Sequence, residues 1–128
     1  MIKPLTSSLS EVLLVNESEA IEVFKNALCA ELEHQLFEIW LFGSKARGEA
    51  IPDSDLDLLV VVRDLAPSIR WRIRELAADC SFDYDVLINT HILDQSGWEA
   101  HAGQKSTFWR EIERDGVALI QTPQFTLA

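Results

Sequence analysis

A chain of 128 residues with 48% hydrophobic and 25% charged residues has the size and make-up of one globular domain, able to bury about two-thirds of the surface that its unfolded form exposes. Eleven basic residues against twenty-one acidic ones give a net charge of −10. That argues against a general nucleic-acid-coating role, which needs a basic face for phosphates, but it leaves room for a single nucleotide whose charge a metal ion offsets locally.

Two cysteines, Cys29 and Cys80, are too few for a disulfide framework and sit among apolar residues, as small buried hydrophobes in a reducing compartment do. Residues 1–15 lack the basic start and long apolar run of a signal peptide, and no stretch approaches the roughly 18 apolar residues of a membrane span. A cytoplasmic protein without membrane contact is the expectation.

Taken in order, the run Val12-Leu13-Leu14-Val15 suits either a helical turn or a short strand. Asn16 then makes a good helix N-cap, with Glu19 three residues on to reach back to it. Ala20, Ile21, Phe24, Ala27, Leu28 and Leu32 fall on one face and predict an amphipathic helix of about four turns. Leu36 to Phe42 (LFEIWLF), ended by Gly43, reads as a buried strand. A second strand, Leu56 to Val62, is apolar almost throughout and should be central in a sheet.

Pro67 suits the first turn of a helix whose buried side is Ile69, Ile73, Leu76, Ala77 and Cys80. The alternation in Phe82 to Asn89 predicts a third strand, with Phe82, Tyr84, Val86 and Ile88 on one face and Asp83, Asp85 and Leu87 on the other. His91 to Gly103 is mixed and predicts irregular chain with short helical pieces. Phe108, Trp109 and Ile112 outline a last helix stopped by Gly116, and Val117 to Ile120 suits a short strand. The expected architecture is a single α/β (α+β) domain over residues 1–128, a small mixed sheet with helices packed mainly on one face. Its core lies at about 17–120, and residues 1–8 and 122–128 are expected to be flexible.

The chemistry gathers between the first two strands. Asp55 and Asp57, two apart at a strand entry, project from the same face. Two neighbouring carboxylates repel, so the pair suits a hard divalent cation, and Mg²⁺ takes a few carboxylates, waters and a substrate phosphate. Asp85 on the next predicted strand is a third candidate ligand, with Asp83 its competitor. Gly43 lets backbone approach a phosphate, and Ser44 adds a hydroxyl and an amide at the start of a helical turn. Lys45 and Arg47 are candidates to add positive charge there.

Plainer readings stand beside these. Pro-Asp-Ser-Asp is good turn chemistry in itself. Ser44 has no nucleophile elbow around it. His34, His91 and His101 lack metal-ligand spacing and read as surface or loop residues. Arg70, Arg72 and Arg74 around Trp71 spread over different sides of a helix and read as a solvated face. Trp40, Trp71, Trp98 and Trp109 read as core or interface aromatics.

The stretch GSKARGEAIPDSDLDLLV, with Gly-Ser, ten residues and then Asp-x-Asp, resembles the signature of the nucleotidyltransferase superfamily that includes polymerase β, in its minimal (MNT-type) branch. FDYDVLI is similar to the family's third-aspartate strand, which favours Asp85 over Asp83, and RDGVALI is similar to its closing segment. The resemblance implies a nucleotidyltransferase-like fold and transfer of a nucleoside monophosphate, AMP from ATP first among them, to a hydroxyl acceptor. It places the triphosphate on Gly43 and Ser44, with Lys45 and Arg47 as further nucleotide-binding residues. It gives Asp55, Asp57 and Asp85 two Mg²⁺ ions to hold, with Mn²⁺ as a substitute, and makes Asp85 a candidate general base.

Stand-alone domains of this kind are, by the same resemblance, often antitoxins that adenylylate a tyrosine of a HEPN-domain RNase toxin. The chain's brevity fits an acceptor that brings its own surface. Two alternatives stand against that: a non-catalytic module that neutralises a partner by binding it, and a small-molecule transferase of the aminoglycoside type.

Overall fold

The computed structural model describes residues 13–48 and 55–121. The termini expected to be flexible and the turn residues Pro52, Asp53 and Ser54 lie outside them, as does Val12. The elements are α1 (Val15–Leu32), β1 (Leu36–Phe42), α2 (Gly43–Arg47), β2 (Leu56–Val62), α3 (Pro67–Tyr84), β3 (Ile88–Asp94), α4 (Gln95–Gln104), α5 (Thr107–Asp115) and β4 (Val117–Ile120), with a 3-10 turn at Glu33–Gln35. The sheet has the order β3-β2-β1-β4; β1 runs antiparallel to β2 and β4, and β2 runs parallel to β3. The parallel pair needs a crossover, which α3 provides. It is the mixed α/β arrangement that the order of predicted elements implied.

Both long helices cover one face of this sheet. Phe24 and Leu28 of α1 and Ile73 and Cys80 of α3 pack against Ile39, Leu41, Leu58 and Val60. Residues at odd positions of β2 turn to the other face, where Leu59 and Val61 meet Trp98 of α4 and Ile112 of α5. The apolar run of β2 thus has a simple cause: as an inner strand covered on both sides, it buries every residue from Leu58 to Val62. No helix among the described residues is long and apolar enough to cross a membrane.

Three element boundaries differ from expectation. Helix α1 starts at Val15, capped by Leu14, whose N–H donates to Glu17 Oε1 at 2.8 Å. Asn16, expected as the cap, instead donates from Nδ2 to the Tyr84 carbonyl at the end of α3, at 2.9 Å. The third strand is not Phe82–Asn89: α3 continues to Tyr84, and β3 begins at Ile88. The apolar spacing Ile73, Leu76, Ala77, Cys80 carries on to Tyr84 with helical period, and that packing prevails over the local alternation. The helix end is closed by Val86 N–H to the Ser81 carbonyl, 3.1 Å, and by Ile88 N–H to Ser81 Oγ, 3.0 Å. The segment expected to be irregular holds most of β3 and the whole of α4, which Asp94 caps by accepting from Gly97 N–H at 2.8 Å.

One carboxylate is buried beneath α4 and α5. Glu38 of β1 is 4% exposed and accepts a hydrogen bond from Trp40 Nε1 at 2.8 Å. Burial pushes its carboxyl above the usual range; hydrogen bonds from Trp40 and Trp98 oppose the rise, and the negative charge of Glu113 adds to it. With the folded pKa above the unfolded one, the stabilising contribution is whole below the unfolded pKa and is lost as pH rises through the folded value. The stability of the native chain relative to Glu38→Gln is therefore expected to fall as pH rises above the ordinary carboxylate range, as measured by urea unfolding of both proteins across a pH series.

Candidate active site

Asp57 is the second residue of β2 and Asp55 stands immediately before that strand. Leu56 between them is fully buried on the α1/α3 side, so the two carboxylates project to the opposite side, and both are half-buried. The β1–β2 register pairs Phe42 with Asp57, which brings the next residue, Gly43, beside the carboxylate. Gly43 has φ +79°, and a Cβ on it would stand 2.5 Å from Asp57 Oδ2. Only glycine both adopts that backbone and leaves the carboxylate its place. Ser44 follows within the single turn of α2, half-buried.

Sequence reasoning also put Lys45, Arg47 and Asp85 at the site, and the structure gives each of them other surroundings. Lys45 points into the protein: its Nζ lies 2.6 Å from Glu17 Oε2, both side chains 4% exposed. Its ammonium therefore balances a buried carboxylate of α1 rather than a phosphate. Arg47 turns to α5, with an Nη atom 3.6 Å from Glu111 and 4.0 Å from Asp115. Asp85 is not on a strand beside Asp57. It caps α3 in the left-handed region, φ 54° and ψ 50°, ahead of β3. Asp83 lies within α3, exposed. Among the described residues no group of three or more His, Cys, Asp or Glu side chains is placed to hold a metal ion.

The residue across from Asp57 on β3 is Asn89, whose Nδ2 donates to Asp57 Oδ1 at 3.0 Å. His91, expected on the surface or in a loop, is two residues further along the same strand, with Nε2 3.8 Å from Asp57 Oδ1. Its ring meets Phe42 edge-on at 5.0 Å and stacks on Phe108 at 5.9 Å, which makes an aromatic wall beside the carboxylate. Neither residue was legible without the register of β3. Once that strand is placed, Asn89, His91 and Leu93 are the positions that share a face with Asp57.

The site thus combines a glycine-bearing turn with two outward carboxylates that no lysine or arginine neutralises among the described residues. Hard oxygen donors with no protein cation beside them fit a divalent ion of the Mg²⁺ class, completed by water and phosphate oxygens.

Comparison with known proteins agrees. Residues 21–101 match the family model described as a nucleotidyltransferase domain. A Methanocaldococcus jannaschii protein, provisionally named a protein adenylyltransferase, is 33% identical over 101 residues, which span 77% of this chain and 94% of that one. A second protein of the same organism and the same provisional name is 34% identical over 83 residues, 65% of this chain and 67% of its own. A chain of a toxin–antitoxin crystal structure with AMP-PNP superposes with a TM-score of 0.52 at 23% identity, covering 88% of this chain and 77% of that one. A mutant of the toxin–antitoxin pair MntA-HpeT gives 0.52 at 24% identity with the same coverage. These two likenesses carry the fold.

Gly43→Ala is expected to weaken binding of a non-hydrolysable ATP analogue in Mg²⁺ by about tenfold or more while circular dichroism stays native, since the left-handed backbone costs about 1–2 kcal/mol and Asp57 must also shift. Lys45→Ala, by contrast, is expected to act on folding. It strands the Glu17 carboxylate and should lower the urea-derived unfolding free energy by about 3–5 kcal/mol, whereas the double change Glu17→Leu/Lys45→Met should be near neutral.

Proposed function

This chain belongs to the nucleotidyltransferase domain family, and from that membership we propose that it transfers AMP from ATP to a hydroxyl group of a partner protein, with Mg²⁺ as cofactor. The observation that carries the proposal is Asp57 seated against Gly43, which sets a metal-ligating carboxylate and a phosphate-receiving turn at one place.

Asp55 and Asp57 hold the ion, which when bound offsets the charge of the triphosphate and of the leaving pyrophosphate. Gly43 admits the phosphates close to the backbone, and Ser44 offers them its hydroxyl and amide. Asn89 occupies Oδ1 of Asp57 and so fixes the orientation of that carboxylate. The acceptor oxygen bonds to the α-phosphorus as the bond to the β-phosphate oxygen breaks, pyrophosphate leaves with the electron pair, and the hydroxyl proton passes to solvent. What the protein supplies is alignment and charge stabilisation, from which most of the acceleration of phosphoryl chemistry comes.

The names of the two M. jannaschii relatives favour a protein acceptor over a small molecule. A tyrosine of a HEPN-domain toxin is the acceptor that the resemblance to the MNT branch implies, which would make the chain an antitoxin acting by modification.

Purified protein incubated with α-labelled ATP, Mg²⁺ and a lysate of its host should label a protein band. Asp55→Ala and Asp57→Ala should each reduce that label by about a hundredfold or more, the scale of losing one pre-organised charge-stabilising group. Nucleotide and metal binding without any label, even when a purified HEPN partner is added, would count against transfer and in favour of a binding module.

A further inference from the structure

β3 is an edge strand, and Leu56 N–H donates to the Leu87 carbonyl at 2.8 Å. In a parallel ladder, Leu87, Asn89 and His91 then turn their backbone groups to β2, and Ile88, Thr90 and Ile92 turn theirs outward. Ser81 satisfies the Ile88 N–H at 3.0 Å, whereas no strand pairs with Thr90 and Ile92 on that side among the described residues.

Beside this edge, Trp71, Arg74, Ala78 and Phe82 follow at three- and four-residue spacing on one stripe of α3. Trp71 is 70% exposed and Phe82 88%, and Leu87, just ahead of β3, is 57% exposed. A trough of about 840 Å³ runs between stripe and strand, bordered by Arg74, Ala78, Phe82, Asp85, Leu87 and Thr90. A second hollow of about 390 Å³ continues from Arg70, Arg74 and Ile92 to Phe108, which stacks on the His91 ring beside Asp57. Arg72 of the same helix is held by Glu31 and Glu75, but Arg70 and Arg74 make no ion pair among the described residues. In a chain of net charge −10, an unpaired basic pair on an apolar surface selects an acidic partner where the remaining surface repels one.

We propose that the β3 edge binds an extended, acidic segment of a partner protein by strand addition. Backbone bonds form to Thr90 and Ile92, acidic side chains lie against Arg70 and Arg74, and apolar ones lie over Phe82 and Leu87. The segment lies beyond β3 and so two strand spacings from Asp57 on β2, about 9.6 Å. That this partner is the acceptor rests on the nucleotidyl-transfer reading; the docking itself does not.

The test is selection of a random short-peptide display library on the full chain, followed by binding isotherms and amide hydrogen exchange with the enriched peptides. Enriched sequences should be rich in Asp and Glu and bind Arg70→Glu/Arg74→Glu at least tenfold more weakly. The same library selected on that variant should yield Lys and Arg instead, and bound peptide should slow exchange at Thr90 and Ile92. Enrichment without charge preference, affinity unmoved by charge reversal, or unprotected Thr90 and Ile92 would overturn the proposal. A chain that sediments as a dimer and becomes monomeric in the variant would assign the edge to a second copy. Asp57→Ala should bind the peptides as the native chain does. Binding with no transfer to any acceptor would leave the docking standing and remove the transferase reading, while unchanged acceptor KM in the charge-reversed variant would do the converse.

Discussion

The close approach of the Gly43 backbone to the Asp57 carboxylate is the constraint on which the site depends. It is set by the β1–β2 register, which pairs Phe42 with Asp57, and it is tolerated only because position 43 has no Cβ. A slip of one residue would send Asp57 to the face buried under α1 and α3 and expose Leu58 in its place. The positive φ at Gly43 also starts α2, and two residues later Lys45 reaches the buried Glu17. The aspartate pair, the Gly43 turn and α1 are in this way locked to one another through a few side chains.

The role of Lys45 changes how the electrostatics of the centre are understood. A lysine two residues past the glycine looks like a phosphate ligand, yet it spends its charge on Glu17, and Arg47 spends its own on α5. The mouth of β2 therefore keeps two carboxylates and an asparagine amide, without a lysine or arginine in direct contact among the described residues. An amide rather than a carboxylate at the position across from Asp57 adds no repulsion and leaves Asp57 with one oxygen already engaged.

How much of this was legible follows from the range of the interactions that decide each element. β1, β2 and the start of α3 are set by local signals, a continuous apolar run or a proline at the first turn, and were foreseen within a residue or two. The Gly-Ser turn and the Asp pair were foreseen because they are a contiguous motif. The end of α3 was not, because Phe82 to Ile88 alternates like a strand while the fold uses Tyr84 to extend a helical face. That one displacement moved Asp85 off the sheet and hid Asn89 and His91, whose importance exists only through pairing with β2. The ion pair of Lys45 was not foreseen for a related reason: its partner is a carboxylate of α1 that no local pattern ties to it.

The bond from Asn16 to the Tyr84 carbonyl joins residues 68 apart in sequence. It bears on the order in which a growing chain acquires its shape. Helix α1 leaves the ribosome before α3, so the side of it that packs on α3, and the fork in which Arg72 grips Glu31, have no counterpart until the crossover has been synthesised. Much of the apolar stripe of Phe24 and Leu28 stays wet through that interval, covered at most by the β1–β2 hairpin that emerges next. Of the described helices α1 is the earliest made, yet its packed face is complete only once the crossover helix α3 has followed.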